Sequence, residues 1–386
     1  MKLIVKNAHL VDQVRSEQND ILLEDGIIRK IGDIRKECSS VIDATGMIVM
    51  PAFVDMHSHF RTPGYEYKED FLTGFHAALK GGYGTVCGMA NTMPVMDRAD
   101  RIAANQEKAN SLELLNYIQI GALGLDLHDK VLSAHDLMRD VTPIFSNDGN
   151  TIENEQFMRE ALKSSSTNDF VLCTHCQPEE EIIERDLRLL TEIGGNLHIC
   201  HISTEKSLGI IGEAKKNGMK FTCEVTPHHL FGYGLDYKVN PPFAAEKDVL
   251  ALIAGIRQGV IDVLATDHAP HSKQDKENGA PGIDNIEVAF GMYWSIFHEN
   301  NLSLNRLSEM ISGKPASLLG LRKGRLKEGY DADLVFIDPD KKQTILPENF
   351  VSKSNNTPFA GKEILGKVLL TMIGGKIKYD SREVTS

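Results

Sequence analysis

The chain has too little positive charge for a nucleic-acid binder. Its 42 lysines and arginines stand against 54 acidic residues in 386, a net charge of −12. No basic excess is there to neutralise phosphates, although an anionic small substrate needs only local cations. Long apolar runs are also lacking. No stretch approaches the ~20 residues of a membrane span, and the opening MKLIVKNAHLVD alternates like a strand, unlike the apolar core of a signal peptide. A cytoplasmic protein with no membrane partner is the expectation. Cysteines are few and dispersed: Cys38, Cys87, Cys173, Cys176, Cys200 and Cys223. Most sit in apolar runs, as reduced core thiols do. Cys173 and Cys176 form a lone C-x-x-C, but no second such pair exists to complete a four-thiolate zinc site.

What the chain does have is a change of character along its length. The first fifty residues read as small antiparallel strands, with Asp25-Gly26 as a two-residue turn inside ILLEDGIIRKIG. The far end matches them: ADLVFIDPD, then VLLTMIGGKIKYD with Gly374-Gly375 as a turn. Segments 1–50 and 330–386 are therefore expected to build one small β-sandwich domain between them. The middle, 51–329, alternates apolar strands with helical stretches. Eight strands are read: IVMPAFVDMHSH, YGTVCGMANT, LLNYIQIGAL, VTPIFSND, FVLCTHC, NLHICHIS, KFTCEVTPHH and DVLATDHAP. Helical patterns such as EDFLTGFHAALKGG and NEQFMREALKSS lie between most of them. EEEIIERDLRLLTEIGG follows a proline, opens with three glutamates and closes on a glycine pair, as a helix should. Successive β-α units of this number point to an α/β TIM barrel.

The titratable residues cluster at the ends of those strands. His57 and His59 end the first, Asp148 the fourth, His175 the fifth, His201 the sixth and Asp267 the eighth. In a parallel barrel such ends converge on one face. One residue separates His57 from His59, so a strand sets both on the same side. Four imidazoles and two carboxylates without thiolate suit zinc, with manganese or cobalt as alternatives. Singly, each has a structural reading: a satisfied core histidine, a turn residue at Asp148, a helix cap at Asp267. Their joint placement argues for a site. In HICH, strand alternation puts His198 and His201 on opposite faces, so His201 is expected inside and His198 outside. His228 and His229 end the seventh strand, where one of them could reach the site.

VDMHSHFRTPG, GMANTMPV, HICHIST, EVTPHHL, KVNPPF and ATDHAPH resemble the diagnostic strings of the dihydroorotases, class I, in the amidohydrolase superfamily. The resemblance runs on through GRLKEGYDADLVFID to NNTPFAGKEILG and so covers nearly the whole chain. It implies two zinc ions, one held by His57 and His59 and the other by His175 and His201. Asp148 would bridge them, and Asp267 would complete the first shell and shuttle the proton. Arg61, Asn91 and His271 resemble the groups that hold the substrate carboxylate, beside His59. Asn240, Pro281 and Gly282 match positions lining the pyrimidine pocket. The implied reaction is reversible closure of N-carbamoyl-L-aspartate to L-dihydroorotate plus water, in pyrimidine biosynthesis. Two zincs would supply a bridging hydroxide at neutral pH as the nucleophile, and a carboxylate would protonate the leaving amide nitrogen.

Two features depart from the family pattern. Only PEEEIIERDLRLLTEIGGNLHIC separates His175 from His201, shorter than in many relatives, and the bridging motif is SNDG where many carry a second aspartate. The nearest rivals are hydantoinase- and allantoinase-type cyclic amidases. Many of those bridge their metals with a carbamylated lysine at the end of strand four, and VTPIFSND has no lysine. A different rival is an inactive homologue serving as a structural partner of aspartate carbamoyltransferase, an association that some family members make. Every expected ligand is present, which argues against it. A closed homodimer is the common assembly for such chains.

Overall fold

In the computed structural model, residues 2–35 and 40–382 are described. Cys38 lies outside them. The terminal segments meet in one eight-stranded sheet. Its strands are β1 (Lys2–Val11), β2 (Ser16–Glu24), β3 (Ile27–Ile31), β4 (Val41–Asp43) and β5 (Ile48–Pro51), joined at the other end of the chain by β14 (Leu334–Thr344), β15 (Glu363–Ile373) and β16 (Lys376–Asp380). The order is β16-β15-β14-β5-β1-β2-β3, with β4 also on β1. Both expected turns are there: Asp25-Gly26 joins β2 to β3 and Gly374-Gly375 joins β15 to β16. Leu10, Leu23, Val49, Leu334, Phe336 and Leu370 pack in one buried cluster, so N- and C-terminal strands share a core.

The middle of the chain supplies eight parallel strands, β6 (Phe53–Ser58), β7 (Tyr83–Gly88), β8 (Asn116–Gln119), β9 (Ile144–Ser146), β10 (Val171–Thr174), β11 (Leu197–Ile199), β12 (Thr222–Val225) and β13 (Val263–Leu264). They pair as β6-β7-β8 and as β9 to β13 in sequence order. Single parallel bridges, Gly121 to Phe145 and Ser58 to His268, join the two sets into a ring. This is the α/β barrel that the alternation predicts. Helices Phe71–Lys80, Glu155–Thr167 and Glu179–Ile193 fall where their patterns place them. Asp70 and Asn154 cap two of them by accepting from backbone N–H groups of the first turn. Inside the ring Val54, Met56, Cys87, Ile120, Ile144, Cys173, Cys200 and Val263 form a buried cluster.

The run IVMPAFVDMHSH is two strands and not one. Ala52 donates its N–H to Asp333 O, and the chain passes there from β5, paired with β14, to β6, paired with β7. A register shift between Asp55 and Ser58 then re-aims the end of β6. Asp55 fixes that end: its carboxylate accepts from Thr266 N at 2.9 Å, Thr266 Oγ1 at 2.6 Å and His57 N at 3.2 Å. Burial pushes the Asp55 carboxyl up to about 6. No helix among the described residues is long and apolar enough to cross a membrane.

Candidate active site

The strand ends bring the expected histidines and carboxylates together. His57 Nε2 and His59 Nε2 lie 3.4 Å from the two oxygens of Asp148 and 3.5 and 3.4 Å from Asp267 Oδ1. On the other side, His175 Nδ1 and His201 Nε2 lie 2.9 Å apart, and 3.5 and 3.4 Å from Asp148 Oδ1. Asp148 is thus shared by two groups of potential metal ligands, one with His57 and His59 and one with His175 and His201. Asp267 sits beside the first. All six are buried. Three of the residues around this centre are held at positive φ: Arg61 at 57°, His201 at 31° and Asp267 at 45°. Strain of that kind persists where the surroundings impose it.

Charge explains what the cluster attracts. Burial disfavours protonation of His57, yet Asp148, Glu224 and Asp267 outweigh it and raise this imidazole well above its ordinary range. Burial likewise raises the Asp267 carboxyl, but His57, the His59 hydrogen bond and His201 prevail and hold it below the usual range. His57 Nε2 is buried without a well-formed hydrogen bond. Two buried carboxylates among four imidazoles, with one imidazole nitrogen orphaned, are the donor set a divalent cation takes.

The cluster opens on a cavity of about 190 Å³ lined by His59, Arg61, Asn91, Asp148, Gly149, His175, Asn240, Asp267, Ala269, His271, Pro281 and Gly282. Every residue anticipated as a substrate contact is on that wall. His57 and His201 lie behind it. Arg61 donates from Nη2 to His271 Nε2 at 3.1 Å and from Nε to Pro270 O at 3.1 Å. Burial lowers the guanidinium only to about 10, so it stays charged. Burial, Arg61 and Lys68 push His271 down to about 3, leaving it neutral at physiological pH. Asn91 and Asn240 have a second occupation. The Asn91 amide lies 3.1 Å from His59 Nδ1, and the Asn240 amide 3.0 Å from His175 Nε2, so each steadies an imidazole of the cluster while lining the pocket.

One expectation fails. His198 does not turn outward. It is fully buried, 3.0 Å from Glu224 Oε2, and Glu224 in turn lies beside His57 and Cys200 inside the barrel. The alternation argument breaks because the strand stops at Ile199 and the chain reaches His201 through a left-handed turn. His228 and His229 sit on a short helix, Pro227–Phe231; His229 is bonded to Thr226 and Pro241 O, His228 to Asn285, and neither lines the cavity. Two residues escaped the sequence reading. Lys68 Nζ lies 3.4 Å from His271 Nδ1, adding a second cation to the Arg61 wall. Glu224 lies 2.7 Å from His57 Nδ1. A lone glutamate in the apolar run TCEV was its signal.

Known proteins bear on this geometry. The model of the amidohydrolase family matches residues 48–378. The dihydroorotase of Clostridium botulinum is 40% identical over 399 aligned residues, covering 98% of this chain and 100% of its own. That of Elusimicrobium minutum is 34% identical, with 99% and 98% covered. Among solved structures, the L-hydantoinase (dihydropyrimidinase) of Arthrobacter aurescens is 26% identical with a TM-score of 0.92, covering 100% of this chain and 97% of its own. The dihydropyrimidinase of Brevibacillus agri, at 21% identity and a TM-score of 0.89 over 100% and 96%, is alike in fold. The chain belongs to the amidohydrolase family, and within it to the branch of these dihydroorotases.

Proposed function

We propose that this enzyme is a zinc-dependent dihydroorotase, interconverting N-carbamoyl-L-aspartate and L-dihydroorotate in pyrimidine synthesis. Its catalytic part is the barrel of 51–329, with 1–50 and 330–386 as a composite β-domain. The observation that carries the reading is the cationic wall of the cavity. Arg61, with neutral His271 and Lys68 behind it, faces the same small space as the carboxylates and imidazoles of the cluster. A guanidinium fork suits a planar carboxylate, which dihydroorotate carries and the unsubstituted hydantoin ring does not. The full-length relatives at 40% and 34% identity are named dihydroorotases. The hydantoinase likeness is strongest in fold, at 26% and 21% identity.

His57, His59 and Asp148 would hold one zinc, with Asp267 beside them, and Asp148, His175 and His201 the second. Such ions, when bound, lower the pKa of water and polarise an amide carbonyl. The chain's own residues do the remaining work. Arg61, Asn91 and His271 anchor the substrate carboxylate, and Asn240, Pro281 and Gly282 close around the ring. Asp267, ionised and 3.4 Å from His59 Nε2, takes the proton given up by the attacking water and delivers it to the amide nitrogen as the C–N bond breaks and the ring opens. Without that protonation the nitrogen is a poor leaving group. In the closing direction the same carboxylate removes the ureido proton.

The test is ring opening of L-dihydroorotate by zinc-loaded protein, followed by ultraviolet absorbance, with hydantoin and allantoin in parallel and Asp267→Ala as control. Turnover of dihydroorotate alone, lost in the variant, is the expected result. Turnover of hydantoin or allantoin instead overturns the substrate assignment. Zinc-loaded protein idle on all three overturns the catalytic reading and favours a structural partner.

A further inference from the structure

The cluster accounts for one face of His57 and leaves the other unexplained. Behind that ring, Nδ1 lies 2.7 Å from Glu224 Oε1. The second oxygen of the same carboxylate lies 3.0 Å from His198 Nε2, and His198 Nδ1 lies 2.7 Å from Thr222 Oγ1. Glu224 is 1% exposed, and His57 and His198 are wholly buried. No lysine or arginine forms an ion pair with Glu224 among the described residues. Its setting is the interior of the barrel, near Cys200 and opposite Val263 of the neighbouring strand. A buried carboxylate is an expensive way to fill such a space, where an aliphatic side chain would do better. Glu224 therefore serves something other than packing.

The hydrogen bonds say what. A carboxylate oxygen only accepts, so His57 carries a proton on Nδ1 toward Glu224 and turns Nε2 to the cluster, the nitrogen a metal ion would take in place of a proton. His198 donates from Nε2 to the other oxygen and accepts at Nδ1 from the Thr222 hydroxyl, which fixes the Glu224 rotamer in turn. The contact spans the barrel: Glu224 stands on β12, His57 on β6, with β13 and the ring closure between them. The other cluster imidazoles have weaker support. His59 and His175 rest on the neutral amides of Asn91 and Asn240. A metal held by His57, Cys200 and Glu224 themselves is a poorer reading, because the His57 and Glu224 atoms it would use are already bonded to each other.

We propose that Glu224, held by His198, is a positioning residue for the metal centre. It locks the orientation and tautomer of His57 and strengthens Nε2 as a donor to a divalent cation. The inference rests on reading the cluster as that centre. Carboxylates behind metal-bound imidazoles act in this way generally, and losing one weakens binding about ten- to hundredfold.

The test compares wild type with Glu224→Gln, which keeps the shape and an acceptor for His57 but removes the charge. Zinc affinity is read by competition with a chromophoric chelator, the ligand field by the visible spectrum of the cobalt-loaded protein, and the fold by thermal unfolding of the metal-free forms. The expected result is affinity about ten- to hundredfold weaker, displaced cobalt bands, a lower kcat and an unchanged KM for dihydroorotate, in a protein that still unfolds cooperatively. A folded Glu224→Gln with wild-type affinity and cobalt bands overturns the inference and leaves Glu224 as a structural residue. Should that variant fail to fold, Glu224→Asp, which withdraws the charge by one methylene, is read in the same way. Wild type that binds zinc but leaves dihydroorotate untouched refutes the proposed function alone, since the affinity comparison needs no substrate.

Discussion

The mouth of the barrel and the eight-stranded sheet place backbone strain on different kinds of residue. In and around the sheet, Lys323 and Asp12 each have close partners. Lys323 lies between Asp331 at 2.7 Å and Asp333 at 2.5 Å, and Asp12 accepts from the N–H groups of Val14, Arg15 and Leu326. Positive φ falls at a bulge, Asn7, and at a turn, Asp25. At the mouth, positive φ falls on Arg61, His201 and Asp267 themselves, and His57 Nε2 and both oxygens of Asp284 lack a well-formed hydrogen bond. Positive φ that falls on the site residues themselves marks where geometry has been favoured over stability. Substitutions in the two regions should then damage different properties.

The largest effect is expected at Asp267. Asp267→Asn keeps the shape but takes no proton, and turnover of dihydroorotate should fall about a thousandfold with the thermal midpoint unchanged or raised. A variant that keeps a tenth of the activity would remove Asp267 from proton transfer. The mirror-image change lies in the sheet. Phe336 is fully buried in the shared core, so Phe336→Ala should lower stability to urea by about 3–5 kcal/mol and leave kcat unchanged in the folded protein. A drop in kcat would break the separation. It would mean that β14 transmits its packing through β5, its direct partner, into β6 and His57.

These contrasts follow how legible each region is in the sequence. The hairpins could be read because turn chemistry is local: Asp25-Gly26 specifies its turn whatever surrounds it. The helix after Pro178 could be read for the same reason. The cluster was legible through residue type at strand ends, since His57, His59, Asp148, His175, His201 and Asp267 stand at the ends of five strands that only the barrel brings together. The break at Ala52 was not legible, because two adjoining apolar strands look alike whichever sheet they join. His198 was misplaced because alternation holds only while a strand continues. Glu224 and Lys68 are set by partners across the barrel or across a loop, and no local pattern encodes those distances.

A third expectation sharpens the electrostatic side of the comparison. Burial pushes the Asp284 carboxyl up to about 7, with His268 opposing the shift. Asp284 faces His268 Nδ1 at 3.5 Å, in the neighbourhood of Glu69, Glu287 and Ser352. A carboxyl whose folded value exceeds its unfolded 3.8 binds more protons in the native state, so its contribution falls as pH rises through about 7. His268, raised above the ordinary imidazole value despite burial, loses its contribution in the same direction. Between pH 5 and 7 wild type should lose about 2–3 kcal/mol relative to Asp284→Asn. Parallel urea-stability profiles for the two proteins would show that Asp284 is not titrating there.

The smallest effect is expected at Arg61, and it separates binding from chemistry within the mouth itself. Lysine keeps the positive charge but loses the fork, and with it the bond to His271 Nε2 or the one to Pro270 O. Arg61→Lys should raise KM for dihydroorotate about tenfold with kcat little changed, because the group that moves the proton is Asp267. His271→Ala removes the partner that Arg61 rests on, and should raise KM in the same sense. The two effects should combine to less than their product, since both act on one guanidinium. A fall in kcat with KM unchanged would instead put Arg61 against the reacting amide, and the carboxylate would have to be held by Lys68 or Asn91.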